Sequence, residues 1–498
     1  MTDSALVTGA DAAVPLRDRK PVWVLLVASF AAFLGGINQS TTNVALPVIV
    51  DSLQASAVAA TWILLSYLVA MAATILVFGR LADLVGRRRV FLHGTTLFAV
   101  SSLAAAVAPS VTVLIIARTV QGVAAAMMFA TGAALIAAVY PRRSLGGAMG
   151  IFVAVNSIAQ FLGPMVGGFV AAGPGWPWLF WANIPVALCA AAAGHFVLPR
   201  GGTAARGEGF DFVGAVLAVG VVVALVCGVS GGGVYGWTSP RILALLGGFA
   251  VGAAAFVWWE HRIRHPLMDL TLFADRVFRW ANVSSLLNCA VRFPLVLLVA
   301  LMFQTVHSGG PALAGLAVVP ISIGTMVASF AYGALERRFS HYRLGIAGSL
   351  ATTGGVLLLL PTVAGGPYVL LTAVGGLVAG AGAGVVVTAN GATILLPCAT
   401  DQLGAVSSIR ALLQMLGNSV GVAACLTLVA APLPRGDKDA VYAGNAASLA
   451  PGSFAALERG FYAALIAVGV LAVAGAVASA CARMSARNSR LTDRLSGR

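Results

Sequence analysis

Acidic residues are scarce in this chain and lysine is almost missing. Its 498 residues carry 16 Asp and Glu, and Lys20 and Lys438 are the only lysines among 30 basic residues. Charged side chains make up 9% of the sequence against 59% hydrophobic ones, at a mean hydropathy of +0.95. A soluble domain of this length needs a charged surface, so that class is excluded. The six cysteines (Cys189, Cys227, Cys289, Cys398, Cys425, Cys481) lie in or beside apolar segments. None has metal-ligand spacing, so neither a metal site nor a disulfide framework is expected. The six histidines are scattered, and a membrane enzyme would need a His/Asp/Glu cluster at one depth. No enzyme activity and no cofactor are expected. Abundant Ala, Gly and Val, with Arg in place of Lys, point to a GC-rich bacterial genome.

What the chain has instead is apolar length. Runs of about 20 residues, enough to cross a bilayer, recur from end to end. The expected fold is an all-α integral membrane protein with about fourteen transmembrane helices, at 22–48, 58–79, 90–109, 112–138, 146–172, 178–198, 212–230, 241–260, 278–306, 312–335, 344–363, 367–396, 405–431 and 460–482. The net charge of +14 invites a nucleic-acid reading, but the positions of the charges exclude it. Arg118 and Arg292 fall inside apolar runs. Arg241, Arg435, Lys438 and Arg459 fall in or beside one set of loops. Nearly all the rest lie in the alternate set, at 80–89, 142–143, 200–206, 262–279 and 337–343, and in the two tails. That asymmetry puts those loops and both termini in the cytoplasm of a bacterial cell. The first apolar run is too long for a cleaved signal peptide. Trp176, Trp178 and Trp237 stand near span ends, where amphipathic rings favour the interface.

An internal repeat has a constant offset. Gly79-x-Leu81…Arg89 returns in weaker form as Gly333-x-Leu335…Arg343, and Gly163-Pro-Met-Val-Gly167 returns as Gly417-Asn-Ser-Val-Gly421, both 254 residues on. The expected organisation is a cytoplasmic tail 1–21, a six-helix half 22–198, a linker 199–277 with two inserted helices, a second six-helix half 278–482 and a tail 483–498. Eight helices separate equivalent positions, so the halves are parallel repeats about an axis normal to the membrane.

Five motifs carry a family likeness. Gly79-Arg-Leu-Ala-Asp83-Leu-Val-Gly86-Arg87-Arg88-Arg89 lies between the second and third runs. The first run ends Asn43-Val-Ala-Leu-Pro47, and the fourth carries Arg118-Thr-Val-Gln121-Gly122. The fifth carries Gly163-Pro164-Met-Val-Gly167-Gly168, followed by Trp176-Pro-Trp178-Leu-Phe180-Trp-Ala-Asn183-Ile-Pro185. In order and spacing these resemble the G-x-L-a-D-x-x-G-R-R loop and antiporter signatures of the major facilitator superfamily, in its fourteen-span drug:proton antiporter branch. The resemblance implies proton-coupled efflux of a small amphipathic antibiotic, drug or metabolite by alternating access. The partners would be the lipid bilayer, a small-molecule substrate and protons, with the proton gradient as energy source and the monomer as the working unit. Physical readings stand beside it. Pro164 removes a backbone donor and bends its helix. Gly163, Gly167 and Gly168 allow close helix contact. Arg118 is a charge in an apolar span and a functional candidate on that ground.

The departures from the pattern carry as much information. Asn38 stands where the family has Asp, Ala159 replaces a motif glycine, and Pro177 replaces the Arg of W-R-W. Every carboxylate, from Asp51 and Asp83 to Asp211, Glu260 and Glu336, maps to a loop or a span end. A cavity without an acid disfavours lipophilic cations. Arg292 stands 254 residues after Asn38 and is expected to be its repeat partner, facing the same central cavity. An anionic or neutral substrate follows. The candidate substrate and coupling residues are Asn38, Gln39, Asn43, Arg118, Asn156, Gln160, Arg292 and Gln304. The candidate conformational residues are Gly79, Asp83, Gly86, Arg87, Arg88, Gly163, Pro164, Gly167 and Gly168, with Asp83 and its arginines expected to latch the two halves. The absence of a mid-membrane acid also leaves open a passive facilitator or importer of a neutral solute.

The topology makes a direct prediction. Reporter fusions after Arg498 and within the Gly231–Pro240 loop should report opposite sides of the membrane. Signals from the same side would refute the assignment.

Overall fold

The computed structural model describes residues 21–199, 210–263, 266–268, 270–307, 310–364, 368–395, 403–434, 437 and 453–495. The N-terminal tail, most of the 431–453 loop and Glu208, Asp269, Asp401, Arg435 and Lys438 lie outside them. The described residues form helices α1 (Pro21–Ser52), α2 (Ala57–Val85), α3 (Arg87–Ala106), α4 (Val111–Val139), α5 (Arg142–Ala172), α6 (Pro177–Trp181), α7 (Asn183–Val197), α8 (Phe212–Tyr235), α9 (Pro240–Glu260), α10 (Arg276–Thr305), α11 (Pro311–Glu336), α12 (His341–Leu359), α13 (Tyr368–Leu395), α14 (Leu403–Ala430) and α15 (Ser453–Leu495). Short 3-10 turns occupy Leu270–Ala274 and Leu360–Ala364. Twelve helices among the described residues are long and apolar enough to cross a membrane, with α6 and α7 counted together as Pro177–Val197. α3 and α5, with 20 and 31 residues, are not among the twelve.

Local chemistry sets several helix ends. Ser56 and Ser110 accept from the backbone N–H groups of Ala59 and Val113, and Asp211 and Asp275 accept from Gly214 and Val277. Each N-cap of this kind contributes about 1 kcal/mol. Three expected boundaries move. The 178–198 span breaks at Ala182 into α6 and α7. The second helix does not stop at Gly79 but runs through Val85, so Gly79 and Asp83 are helical. The turn between α2 and α3 is Gly86 alone, at φ 103° and ψ 126°, a conformation that side chains with a Cβ rarely adopt. At the far end, α15 continues to Leu495, so most of the expected 483–498 tail is helix.

Packing follows from small residues. α1 lies on α5 and α2 on α4, while α3 contacts α4 and α7. In the second half α10 lies on α14 and α15, and α13 on α11 and α12. A Cβ on Gly167 would meet the backbone of Thr41, and one on Gly421 would meet the backbone of Ala290. Gly122 lies on the backbone of Tyr67, Gly380 on Ile321 and Gly355 on Ala379. In lipid, where apolar surface gains little by leaving its solvent, such close approach is what holds helices together.

The two halves meet along α5–α11 and α2–α14. α8 packs on α9 and also on both α2 and α14, so the inserted pair sits over one of these seams. At the end of the bundle remote from Arg87, the halves are in direct contact. A Cβ on Gly315 of α11 would lie 2.9 Å from the Pro164 carbonyl oxygen and 3.2 Å from the Gly168 Cα, both on α5. Gln304 Nε2 of α10 donates to the Val44 carbonyl of α1 at 3.4 Å.

Gly315→Val should therefore keep this end from closing. In a cysteine-free background, a Val44→Cys/Gln304→Cys pair should cross-link readily and lose that yield several-fold when Gly315→Val is added. An unchanged yield would show that closure does not depend on this contact.

Candidate functional site

A small cavity lies between the halves, lined by Ser40, Asn43, Gln160, Arg292, Phe293, Val296, Ile321, Ser322 and Thr325. α1 and α5 supply one wall, α10 and α11 the other. Of the sequence candidates, Asn43, Gln160 and Arg292 are brought together here. Ser40 Oγ donates to the Gln160 carbonyl at 3.1 Å, which ties α1 to α5 across the wall. Gln160 Nε2 donates to Asn156 Oδ1 at 2.6 Å, and Asn156 Nδ2 donates to the Ala32 carbonyl at 3.0 Å. Asn156 thus orients Gln160 from behind the lining.

Arg292 is the one charged residue among the described residues of the lining. Its guanidinium lies 4.8 Å from the Phe293 ring centre and makes no hydrogen bond or ion pair among the described residues. Arg410 on α14, inside the expected 405–431 span but not among the sequence candidates, is a second arginine inside the C-terminal half. It donates to the Val387 carbonyl at 3.3 Å and lies against Gly391. Gln414, one turn on, donates to Ser285 Oγ at 3.2 Å. The sequence signal for Arg410 was its place two turns inside α14.

Asn38 occupies a different place from the one expected. It is 2% exposed and points into the N-terminal half, away from the cavity. Its Nδ2 donates to Gln121 Oε1 at 3.2 Å, and its Oδ1 accepts from Asn183 Nδ2 at 3.0 Å. Gln121 Oε1 also accepts from Arg118 Nη1 at 2.7 Å, while Gln121 Nε2 donates to Ser102 Oγ at 2.7 Å. Arg118 is 1% exposed, donates to the Ile63 carbonyl at 3.4 Å and lies over the rings of Tyr67 (4.5 Å) and Phe180 (5.9 Å). Neutral dipoles and π faces therefore hold this guanidinium, with no carboxylate beside it. Gln121 and Asn183, unremarkable as single residues in sequence, complete the network.

The repeat partner of Arg292 is corrected as well. Taking Gly167 and Gly421 as equivalent, their contacts pair Thr41 with Ala290, an offset of 249 residues along α1 and α10. Arg292 then matches Asn43, and both line the cavity. On that equivalence, 254 residues relate the glycines of α5 and α14, and a different offset relates the helices they pack against.

Gln39 is nearly buried, with Nε2 unpartnered, and Gln304 serves the inter-half contact described above. Three bonds of the arginine motif stay inside one half. Arg87 pairs with Asp83 at 3.1 Å and donates to the Ala134 carbonyl of α4, and Arg88 donates to the His195 carbonyl of α7. None of these three bonds latches one half to the other. Trp176 Nε1 donates to Ser52 Oγ at 2.8 Å, so this tryptophan is buried against α1, while Trp178 and Trp237 are exposed.

A family model described as the Major Facilitator Superfamily matches residues 28–422. The chain belongs to the major facilitator superfamily. Within this superfamily of transporters it is 31% identical over 416 residues to the multidrug resistance protein Stp of Mycobacterium tuberculosis, covering 83% of this chain and 77% of that one. It is 30% identical to the lincomycin resistance protein of Streptomyces lincolnensis, over 88% and 90% of the two chains. The methylenomycin A resistance protein of Streptomyces coelicolor is 29% identical, over 83% and 87%. The superfamily fold also appears in the human organic anion transporter MFSD10 (TETRAN), which superposes with a TM-score of 0.62 at 14% identity, covering 92% of this chain and 99% of that one.

Two substitutions separate the buried network from the exposed motif. Gln121→Leu leaves Arg118, Asn38 and Ser102 short of partners, and each buried orphan costs about 1–3 kcal/mol. Asp83→Asn breaks a pair whose side chains are 45% and 37% exposed, worth about 0–1 kcal/mol. Thermal melting in detergent should therefore drop by several degrees for Gln121→Leu and hardly move for Asp83→Asn. Equal shifts would contradict this ranking.

Proposed function

We propose that this superfamily member is a proton-coupled efflux transporter of a small amphipathic antibiotic, drug or secondary metabolite. Export proceeds by alternating access, with substrate bound between the halves and the halves rocking about it. In this reading the chain works as a monomer in the bacterial cytoplasmic membrane. α3 and α5 join the twelve apolar helices to make fourteen spans, the two halves are parallel repeats, and both termini face the cytoplasm. The names of the related resistance proteins support antibiotic export as the activity. Contact between the halves at the end remote from Arg87 supports a state closed to the outside.

The observation that carries the substrate class is the cavity wall. Arg292 is its single charge, among Ser40, Asn43, Gln160, Ser322 and Thr325. At an effective dielectric near 20, a carboxylate about 5 Å away gains about 3 kcal/mol from that charge, and a cation loses as much. The planar guanidinium also suits a carboxylate or phosphate geometrically. The exported compound is therefore anionic or neutral. A second reading, a passive facilitator of a neutral solute, draws on the absence of a carboxylate from the cavity lining.

A susceptibility panel in an efflux-deficient host, with and without an uncoupler, tests both readings. Protection against acidic or neutral antibiotics should appear and should vanish with the uncoupler. Arg292→Ala should lower export of an acidic substrate about tenfold or more, and a neutral one much less. Protection against quaternary ammonium compounds that Arg292→Ala leaves unchanged would overturn the substrate class. Uncoupler-resistant transport would favour the facilitator.

A further inference from the structure

Among the described residues the cavity lining has no carboxylate, and Arg118 cannot exchange a proton at physiological pH, so the proton of the proposed cycle needs another place. Two carboxyls lie buried together outside both halves. Asp211 caps α8 and is 3% exposed, and Glu260 ends α9 and is 4% exposed. Asp211 Oδ1 is occupied, accepting from Gly214 N–H at 2.8 Å and Trp259 Nε1 at 2.9 Å. Glu260 Oε2 accepts from Met268 N–H at 3.1 Å. Each carboxyl has one oxygen left, Asp211 Oδ2 and Glu260 Oε1, and both are buried without a partner among the described residues. They face the same small space. A Cβ on Gly214 would lie 2.9 Å from Glu260 Oε1 and closer still to Asp211 Oδ2. Any residue but glycine at 214 would fill the gap between them.

We infer that Asp211 and Glu260 form a proton-binding site in which one proton, taken from cytoplasmic water, bridges Asp211 Oδ2 and Glu260 Oε1. One carboxyl becomes the O–H donor and the other the acceptor. Release returns the proton to water and leaves two carboxylates facing each other. Like charges this close in a dry space do not both persist. Several charged groups of the described helices around α8 are engaged elsewhere. Asp83 on α2 is paired with Arg87, Arg410 on α14 is bound to the Val387 carbonyl, and Arg262 beyond α9 stacks 4.1 Å over Trp258. His261 after α9, Cys227 on α8 and Cys425 on α14 form no ion pair with either carboxyl among the described residues.

The position gives proton occupancy a mechanical consequence. α8 touches α2 of one half and α14 of the other. The residue Glu260 holds, Met268, packs with Leu272 and Phe273 onto Phe278, Ile394, Val406 and Ile409 at the ends of α10, α13 and α14. A protonated pair fastens the linker beneath the C-terminal half. An ionised pair pushes α8 and α9 apart where they cover the seam. This consequence rests on the proton-coupled reading; the site itself does not.

The test is infrared difference spectroscopy of the full chain in phospholipid vesicles over a pH series. The carbonyl stretch of a protonated carboxylic acid should appear at low pH and vanish as pH rises. It should be lost in Glu260→Gln, be retained in Glu260→Asp, which keeps an acid at that position, and stay unchanged in Asp83→Asn. A band that survives Glu260→Gln would overturn the proposal. So would a carboxylate stretch that shifts with added Mg²⁺ and returns with chelator, since the pair would then hold a metal ion. Export assays separate the two ideas. Uncoupler-sensitive export without the band sinks the site and leaves proton coupling standing. The band with uncoupler-resistant export supports the site and sinks the coupling.

Discussion

Close backbone contact at glycine is the interaction on which this bundle depends. With lipid outside, burying one apolar helix against another yields little solvent-driven stabilisation, and dispersion at short range must replace it. Gly122, Gly167, Gly355, Gly380 and Gly421 each bring a neighbouring backbone to a distance that a methyl group would forbid. The two halves use the same device on each other, at Gly315 against Pro164 and Gly168. There it takes on a second role. A contact held by dispersion, without buried charges to separate, can open and re-form during a rocking motion.

Two buried arginines show how context divides one side-chain type into two roles. Arg118 is surrounded by Gln121, the Ile63 carbonyl, Tyr67 and Phe180, and its charge is balanced by fixed neutral groups. It has little left to offer a substrate, and it stiffens the half that contains it. Arg292 has only the Phe293 ring beside it and no hydrogen-bonding partner among the described residues. Its donors remain available to whatever enters the cavity.

Much of the architecture was legible in the residues. Runs of Ala, Leu and Val located nearly every helix, and Gly86 between Asp83 and Arg87 marked the sharp turn. Gly163 and Gly167 marked a close helix contact. Side-chain direction was not legible. Asn38 and Asn43 are five residues apart on α1, more than one turn and less than two, so they point different ways. Only the contacts of α1 with α4 and α7 decide which of them meets Gln121 and Asn183. The register between α1 and α10 was missed for a related reason. An offset measured on the motif-bearing helix pair does not transfer to helices joined to it by loops of different length. The meeting of Asp211 and Glu260 depends on how α8 folds back on α9, which no local pattern encodes.

The cover that α8 lays over α2 and α14 also bears on how an amphiphile dissolved in the bilayer reaches the interior. Of the two lateral slits between the halves, one is roofed by protein along its lipid face. The other, between α5 and α11, is packed directly and is pinched at Gly315. On the efflux reading, a molecule partitioned into the leaflet on the Arg87 side would be steered away from the α8 cover, toward the wall that carries Gln160 and Thr325. Recruitment from lipid would then be one-sided, and bulk on α11 near that wall would select by the cross-section of the entering molecule.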